Sequence, residues 1–278
     1  MAVQRAGHHN GSIASPRHTG GQLLEALRQP RSFRPRIDPG LAGGLREWLE
    51  DEVWRAAAMA QDTIVITHAS IRRDSQHPGA QNPDPFRSAV SAVISALVRQ
   101  LAITGGFGDP LADGLAALAV DPWATETVGF IDSLSDTSLA RFNRELTAHA
   151  STLCARWPRP APAWLPRTQD KIAIPLAGGK VVLAGTVDLL IGAPSHGEAS
   201  VAMVKVDTDQ PSPCGSGVHG YFALLETLRS GAPPFRVGTL FTCDGTFEIS
   251  DINEALITAT LSRVVGLIQH YGDDKHAS

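Results

Sequence analysis

Residues 201–209 read VAMVKVDTD. Val201, Met203, Val204 and Val206 make the run apolar and β-prone, the pattern of a buried strand. Lys205 and Asp207 interrupt it two residues apart, and side chains at i and i+2 of a strand emerge from one face. An ammonium in an apolar strand is costly unless something pairs with it. The chain has only four lysines, Lys171, Lys180, Lys205 and Lys275, and Lys205 alone sits inside an apolar strand pattern.

Downstream, GSGVHGYFALLETLRSG (215–231) reads as a helix closed by Gly231 at its C′ position. FRVGTLFTC (235–243) is a further strand, and DINEALITATLSRVVGLIQHY (251–271) a last helix with Asp251 and Glu254 at capping-box spacing. Upstream, KIAIPL (171–176) and VVLAGTVDLLIG (181–192) form a hairpin, with Gly178-Gly179 supplying the positive φ angles of its turn. The order is strand, strand, strand, helix, strand, helix. A connection as long as the 215–231 helix permits parallel pairing of the strands it joins.

The proline-rich WPRPAPAWLP (157–166) separates this part from a helical N-terminal portion over 21–158. Its strongest helix is PFRSAVSAVISALVRQLAI, where Val90, Val93, Ile94, Leu97 and Leu101 form one stripe. TIVITHASI (63–71) is a short β-branched run, extended or a strand. The expected fold is α/β, a mixed sheet of about four to five strands flanked by helices. Residues 1–20, rich in Gly, Ser and His, read as a disordered tail.

The 278 residues suffice for one large domain or two modest ones. No apolar run of about 18 residues marks a membrane span and no leader pattern opens the chain, so the expected setting is cytoplasmic. Cys154, Cys214 and Cys243 lack metal-ligand spacing and read as packing residues, and the net charge of −4 argues against a uniformly basic surface. No Gly-rich nucleotide loop or G-x-S-x-G elbow is present, which argues against a nucleotide cofactor and a serine hydrolase.

The strand order, GTVDLLIG with Gly185 and Asp188, and the charged strand VKVDT resemble the RecB-like branch of the PD-(D/E)XK nuclease superfamily over about residues 165–245. The resemblance implies a restriction-endonuclease-like core over 165–272, with a first core helix near 86–101. In that family two carboxylates hold Mg²⁺ or Mn²⁺ and a lysine assists the attacking water. Carried over, Asp188 and Asp207 are the metal ligands and Lys205 the catalytic lysine. His219 and Tyr221, at the start of the crossover helix, are candidates for contacting nucleic acid.

The chain departs from the family pattern. Lys205 stands where the acid belongs and Asp207 where the lysine belongs; no histidine lies near Ala92, and the crossover helix lacks its Gln-x-x-x-Tyr element. A cysteine-centred N-terminal segment found in some relatives is missing too. The expectation is a catalytically degenerate member retained for binding DNA or a protein. The alternatives are a divergent Mg²⁺-dependent DNA nuclease and a protein-interaction module with no nucleic-acid role. For Lys205 and Asp207 the bland reading is an ion-pair remnant, either with each other or across strands. Asp188 stands open between a strand-end aspartate and a site residue. Gln169 and Asp170 read as a solvated strand entry, the alternative being a polar group that points into the site, and Glu226 reads at least as well as part of a charged outer helix face as it does as a contact with the site.

Overall fold

The computed structural model describes residues 20–29, 39–57, 62–75, 84–193, 200–211 and 215–274. The tail expected over 1–20, the histidines within it, His77, Cys214 and Lys275 lie outside or at the edge of these segments. The described chain is mixed α/β, with six strands in one sheet and helices on both sides.

Three strands form an antiparallel meander: β2 (Arg167–Leu176), β3 (Val181–Ile191) and β4 (Ala202–Asp207). The β2–β3 turn carries positive φ at Ala177, Gly178 and Gly179, in agreement with the sequence. From β4 the chain crosses through α8 (Gly215–Ser230) to β5 (Arg236–Phe241), which pairs parallel to β4 as the length of that connection allows. Gly231, with φ 81°, ends α8 by donating its N–H to the Thr227 carbonyl.

Two more strands complete the sheet, and the second of them takes it past the four to five expected. The segment at 64–67 is a true strand, β1 (Ile64–Thr67), and it pairs parallel to β3. The other is β6 (Phe247–Asp251), antiparallel to β5 after a turn through Asp244 and Gly245. That Asp-Gly pair is a hairpin signal the strand count passed over. Asp251 consequently ends a strand, where it pairs with Arg236 at 2.7 Å, and does not cap the last helix. The cap of α9 (Glu254–Asp274) is Asn253, whose Oδ1 accepts from the Leu256 N–H.

One face of the sheet packs on α2 (Pro39–Ala56), α8 and α9 through Leu49, Leu183, Phe222, Leu225, Val264 and their neighbours. The other packs on α4 (Pro85–Thr104) and α7 (Asp136–Arg156), through Val93, Leu97, Phe142, Leu146, Val204 and Leu240. Four smaller helices complete the set among the described residues: α1 (Gly20–Arg28), α3 (His68–Ser75), α5 (Pro110–Leu118) and α6 (Thr125–Asp132). By length and composition α4 could cross a membrane, yet its Val90, Val93, Ile94, Leu97 and Leu101 are buried against the rest of the fold.

The strand that positions the site is β3. Along one edge β2 pairs with it from Val181 to Leu190. The other edge is divided, with β1 taking 181–184 and β4 taking only 189–191. Between them the sheet forks, and the C-terminal ends of β1 and β4 run toward each other across residues 185–188. Here side-chain alternation also breaks, since Val187 faces one core and Leu189 the other. Gln169, opposite this break on β2, holds a φ of 54°. Tyr221 of α8 closes the gap from one side: its hydroxyl donates to the Ile66 carbonyl at 2.6 Å and lies 3.1 Å from that of Ala184. Gly185 lets α8 approach, because a Cβ there would press on Leu225 and Phe222.

Gly192 ends β3 with φ 97°, and a Cβ at this position would collide with the Ser200 carbonyl oxygen. Replacing it with alanine therefore adds backbone strain to a steric clash, and Gly192→Ala is expected to lose about 2–3 kcal/mol in urea unfolding with an unchanged m value.

Candidate functional site

Asp188 sits at the fork with no solvent exposure. Its Oδ2 accepts from Lys205 Nζ at 2.6 Å and from the Val206 backbone N–H at 2.7 Å. Its Oδ1 accepts from Ser95 Oγ on α4 and Gln169 Nε2 on β2, both at 2.7 Å. Gln169 also donates to the Ser95 carbonyl at 2.7 Å, which locks the amide between β2 and α4. A carboxylate has about four lone-pair positions, and all four are filled by the protein.

Asp207 is held separately. Arg72, reaching in from α3, donates through Nη2 to Asp207 Oδ2 and through Nη1 to Asp207 Oδ1 at 3.3 Å. The same Nη1 donates to Asp209 Oδ2 at 2.8 Å, and the Asp209 N–H donates to Asp207 Oδ1 at 3.0 Å. Burial works against the Arg72 charge, but Asp207 and Asp209 outweigh it and raise its pKa above the ordinary value. Lys205 and Asp207 thus do not pair with each other. Each has its own partner, across the fork or from α3.

His68, the first residue of α3, stacks on Phe222 with ring centroids 5.7 Å apart. Its Nδ1 is buried with no hydrogen-bond partner. Burial pushes its pKa down to about 4, and the nearby charges of Lys205 and Arg72 push the same way against Asp207 and Asp188. At neutral pH the imidazole is uncharged.

The other sequence candidates lie elsewhere or behave otherwise. His219 is buried, with Nδ1 2.7 Å from Ser250 Oγ and Nε2 2.9 Å from Thr239 Oγ1, so it faces β5 and β6 and offers nothing to a phosphate. Tyr221 is likewise buried and spends its hydroxyl on backbone carbonyls, and burial raises its pKa. Glu226 is not on an outer face: it is fully buried, its Oε2 accepts from Arg229 Nε at 3.0 Å, and its Oε1 has no partner. Burial lifts its pKa despite Arg229. Asp170 takes the remaining arm of Arg229 at 2.7 Å. Gln169, expected at a solvated strand entry, is a direct partner of Asp188.

Sequence reasoning did not find His68, Arg72 or Ser95. His68 and Arg72 follow a β-branched run directly, and their i, i+4 spacing on HASIRRDS places both on one helix face. That is the one local signal that pointed to them. Ser95 lies one turn beyond the position where the family resemblance asks for a histidine.

The divalent ion implied by the resemblance does not fit these residues. Every acceptor position of Asp188 is taken, and both oxygens of Asp207 carry a guanidinium, so a metal would have to expel protein cations to reach either carboxylate. Asp188 and Asp207 are accordingly ion-pair residues here and not a ready ligand pair, and Lys205 is bound to Asp188 instead of facing a substrate. Among the described residues no group of three His, Cys, Asp or Glu side chains is arranged to hold a metal. No protein-family model matches the chain, and no curated protein matches it.

Two outcomes follow. Lys205→Met leaves the Asp188 carboxylate buried without its cation and is expected to cost about 3–5 kcal/mol in chemical denaturation, with Asp188→Asn in the same chain restoring at least half. The second concerns pH. Burial pushes the pKa of His68 and of His219 down to about 4 in the folded chain, against the ordinary histidine value of 6.5, so the stability they contribute is full above about pH 6.5 and is lost as pH falls toward 4. At pH 5 each is worth about 2 kcal/mol of lost stability relative to pH 7.5, and His219→Asn should remove its share of that difference in paired urea titrations.

Proposed function

We propose that this chain is a RecB-like PD-(D/E)XK-fold protein that does not cleave, and that it acts by binding a protein partner. The order α4, β2, β3, β4, α8, β5 is the order the resemblance requires, and Asp188 and Lys205 fall on the second and third meander strands. The single observation behind the loss of cleavage is the saturation of Asp188: four protein donors occupy the positions a metal ion would need. Phosphodiester hydrolysis on this fold depends on that ion to polarise the phosphate and generate the nucleophile.

The choice of ligand class rests on charge. Around the fork Asp188, Asp207 and Asp209 face Lys205 and Arg72, with His68 neutral, so three carboxylates oppose two cations. A site with residual negative charge repels a phosphate backbone, which binds chiefly through unpaired lysines and arginines. A protein surface carries no such requirement.

Incubation with single- and double-stranded DNA in Mg²⁺ or Mn²⁺ is expected to yield no products, and the protein should show no DNA affinity that weakens with salt. Metal-dependent cutting that disappears in Asp188→Ala would overturn the reading. Uncut DNA that is bound in a salt-dependent manner would replace the protein partner with nucleic acid.

A further inference from the structure

The carboxylates at the end of β4 gather their positive charge from an unexpected source. One guanidinium, that of Arg72, touches three oxygens of two aspartates: both of Asp207 and Oδ2 of Asp209. Asp207 is only 7% exposed, so it requires a cation close by. The cation comes from α3, 135 residues earlier in the chain. The Asp209 N–H draws Asp209 back onto Asp207, which keeps the two carboxylates aimed at one point. Beside them lies the buried, unpartnered Nδ1 of His68, on the same helix as Arg72.

We infer that Arg72 is a built-in substitute for a divalent cation: the chain has exchanged a metal ion at Asp207 and Asp209 for a guanidinium delivered by α3. The inference rests on the non-cleaving reading above and gives it a physical cause. Arg72 matches a carboxylate with a planar fork of donors and stays charged at every accessible pH. It therefore offsets one of the two carboxylate charges and bridges both groups, where a hard oxygen-seeking ion such as Mn²⁺, Mg²⁺ or Ca²⁺ would offset both. It offers no open coordination position for water, so the carboxylates stay held together and chemistry is lost. Lys205 does the same for Asp188 at 2.6 Å.

The test removes the guanidinium and asks whether a metal takes its place. Wild type and Arg72→Met are melted in metal-free buffer, in 10 mM MnCl₂ and in NaCl of matched ionic strength, with calorimetric titration of Mn²⁺ alongside. Wild type should be indifferent to Mn²⁺. Arg72→Met should melt lower without metal, recover by about 5 °C with Mn²⁺ but not with NaCl, and titrate with one site. Adding Asp207→Asn to Arg72→Met should abolish the recovery. Mn²⁺ raising wild type as much as the variant, or a folded Arg72→Met that ignores Mn²⁺, overturns the proposal. Should Arg72→Met be unfolded in metal-free buffer, far-UV circular dichroism reads the titration, and no Mn²⁺-driven refolding is equally fatal. None of these measurements uses DNA: a wild type that cuts nothing beside an Arg72→Met blind to Mn²⁺ removes this inference and leaves the non-cleaving reading standing.

Discussion

A carboxylate with no access to water must be satisfied entirely by the protein around it, and Asp188 imposes that condition on three elements at once. Its donors come from α4, from β2 and from both the side chain and the backbone of β4. Val206 can give its N–H to Asp188 because β4 leaves β3 after three paired residues. Gln169 reaches the carboxylate from a residue with φ 54°, a left-handed conformation that a non-glycine residue adopts only when its surroundings enforce it. The fork, the break in side-chain alternation and the approach of α4 all meet at this group.

The sheet's local architecture was readable from the residues, and its long-range pairings were not. The β2–β3 hairpin announced itself through Gly178-Gly179, and α8 through an apolar run closed by Gly231. Lys205 and Asp188 were legible as an oddity because charge in a β-prone apolar run has few explanations. Their partners were hidden because strand periodicity says which residues share a face, not which distant helix covers that face. Arg72 lies just past the β-branched run in a mostly polar stretch, and only the placement of α3 turns it inward. Glu226 misled for the opposite reason: charge on a helix usually marks its solvated side, but here the Arg229 guanidinium offsets part of the cost of burial.

Every cation at the fork is engaged by a carboxylate of the chain, and the carboxylates outnumber the cations. Lys205 serves Asp188, Arg72 serves Asp207 and Asp209, and on the neighbouring face of α8 Arg229 serves Glu226 and Asp170. Such pairs stabilise weakly, since desolvation consumes most of the Coulombic gain, but removing one member exposes the full cost of the other. They therefore act chiefly as constraints on which helix can sit where. In this arrangement α3 supplies Arg72 to Asp207 and Asp209, and α4 supplies the Ser95 hydroxyl to Asp188.

The divided edge of β3 also bears on the order in which the fold assembles. The meander and the β4–α8–β5 crossover join segments near in sequence, whereas Ile64 must find Val181 across more than a hundred residues. Closing so long a loop has a large entropic cost that a four-residue strand repays poorly on its own. β1 thus depends on the sheet that the nearer pairings build, and Arg72, on the helix that follows β1, is set in place by that same long-range pairing. The cation that the burial of Asp207 requires is therefore tied to the register of β1 against β3.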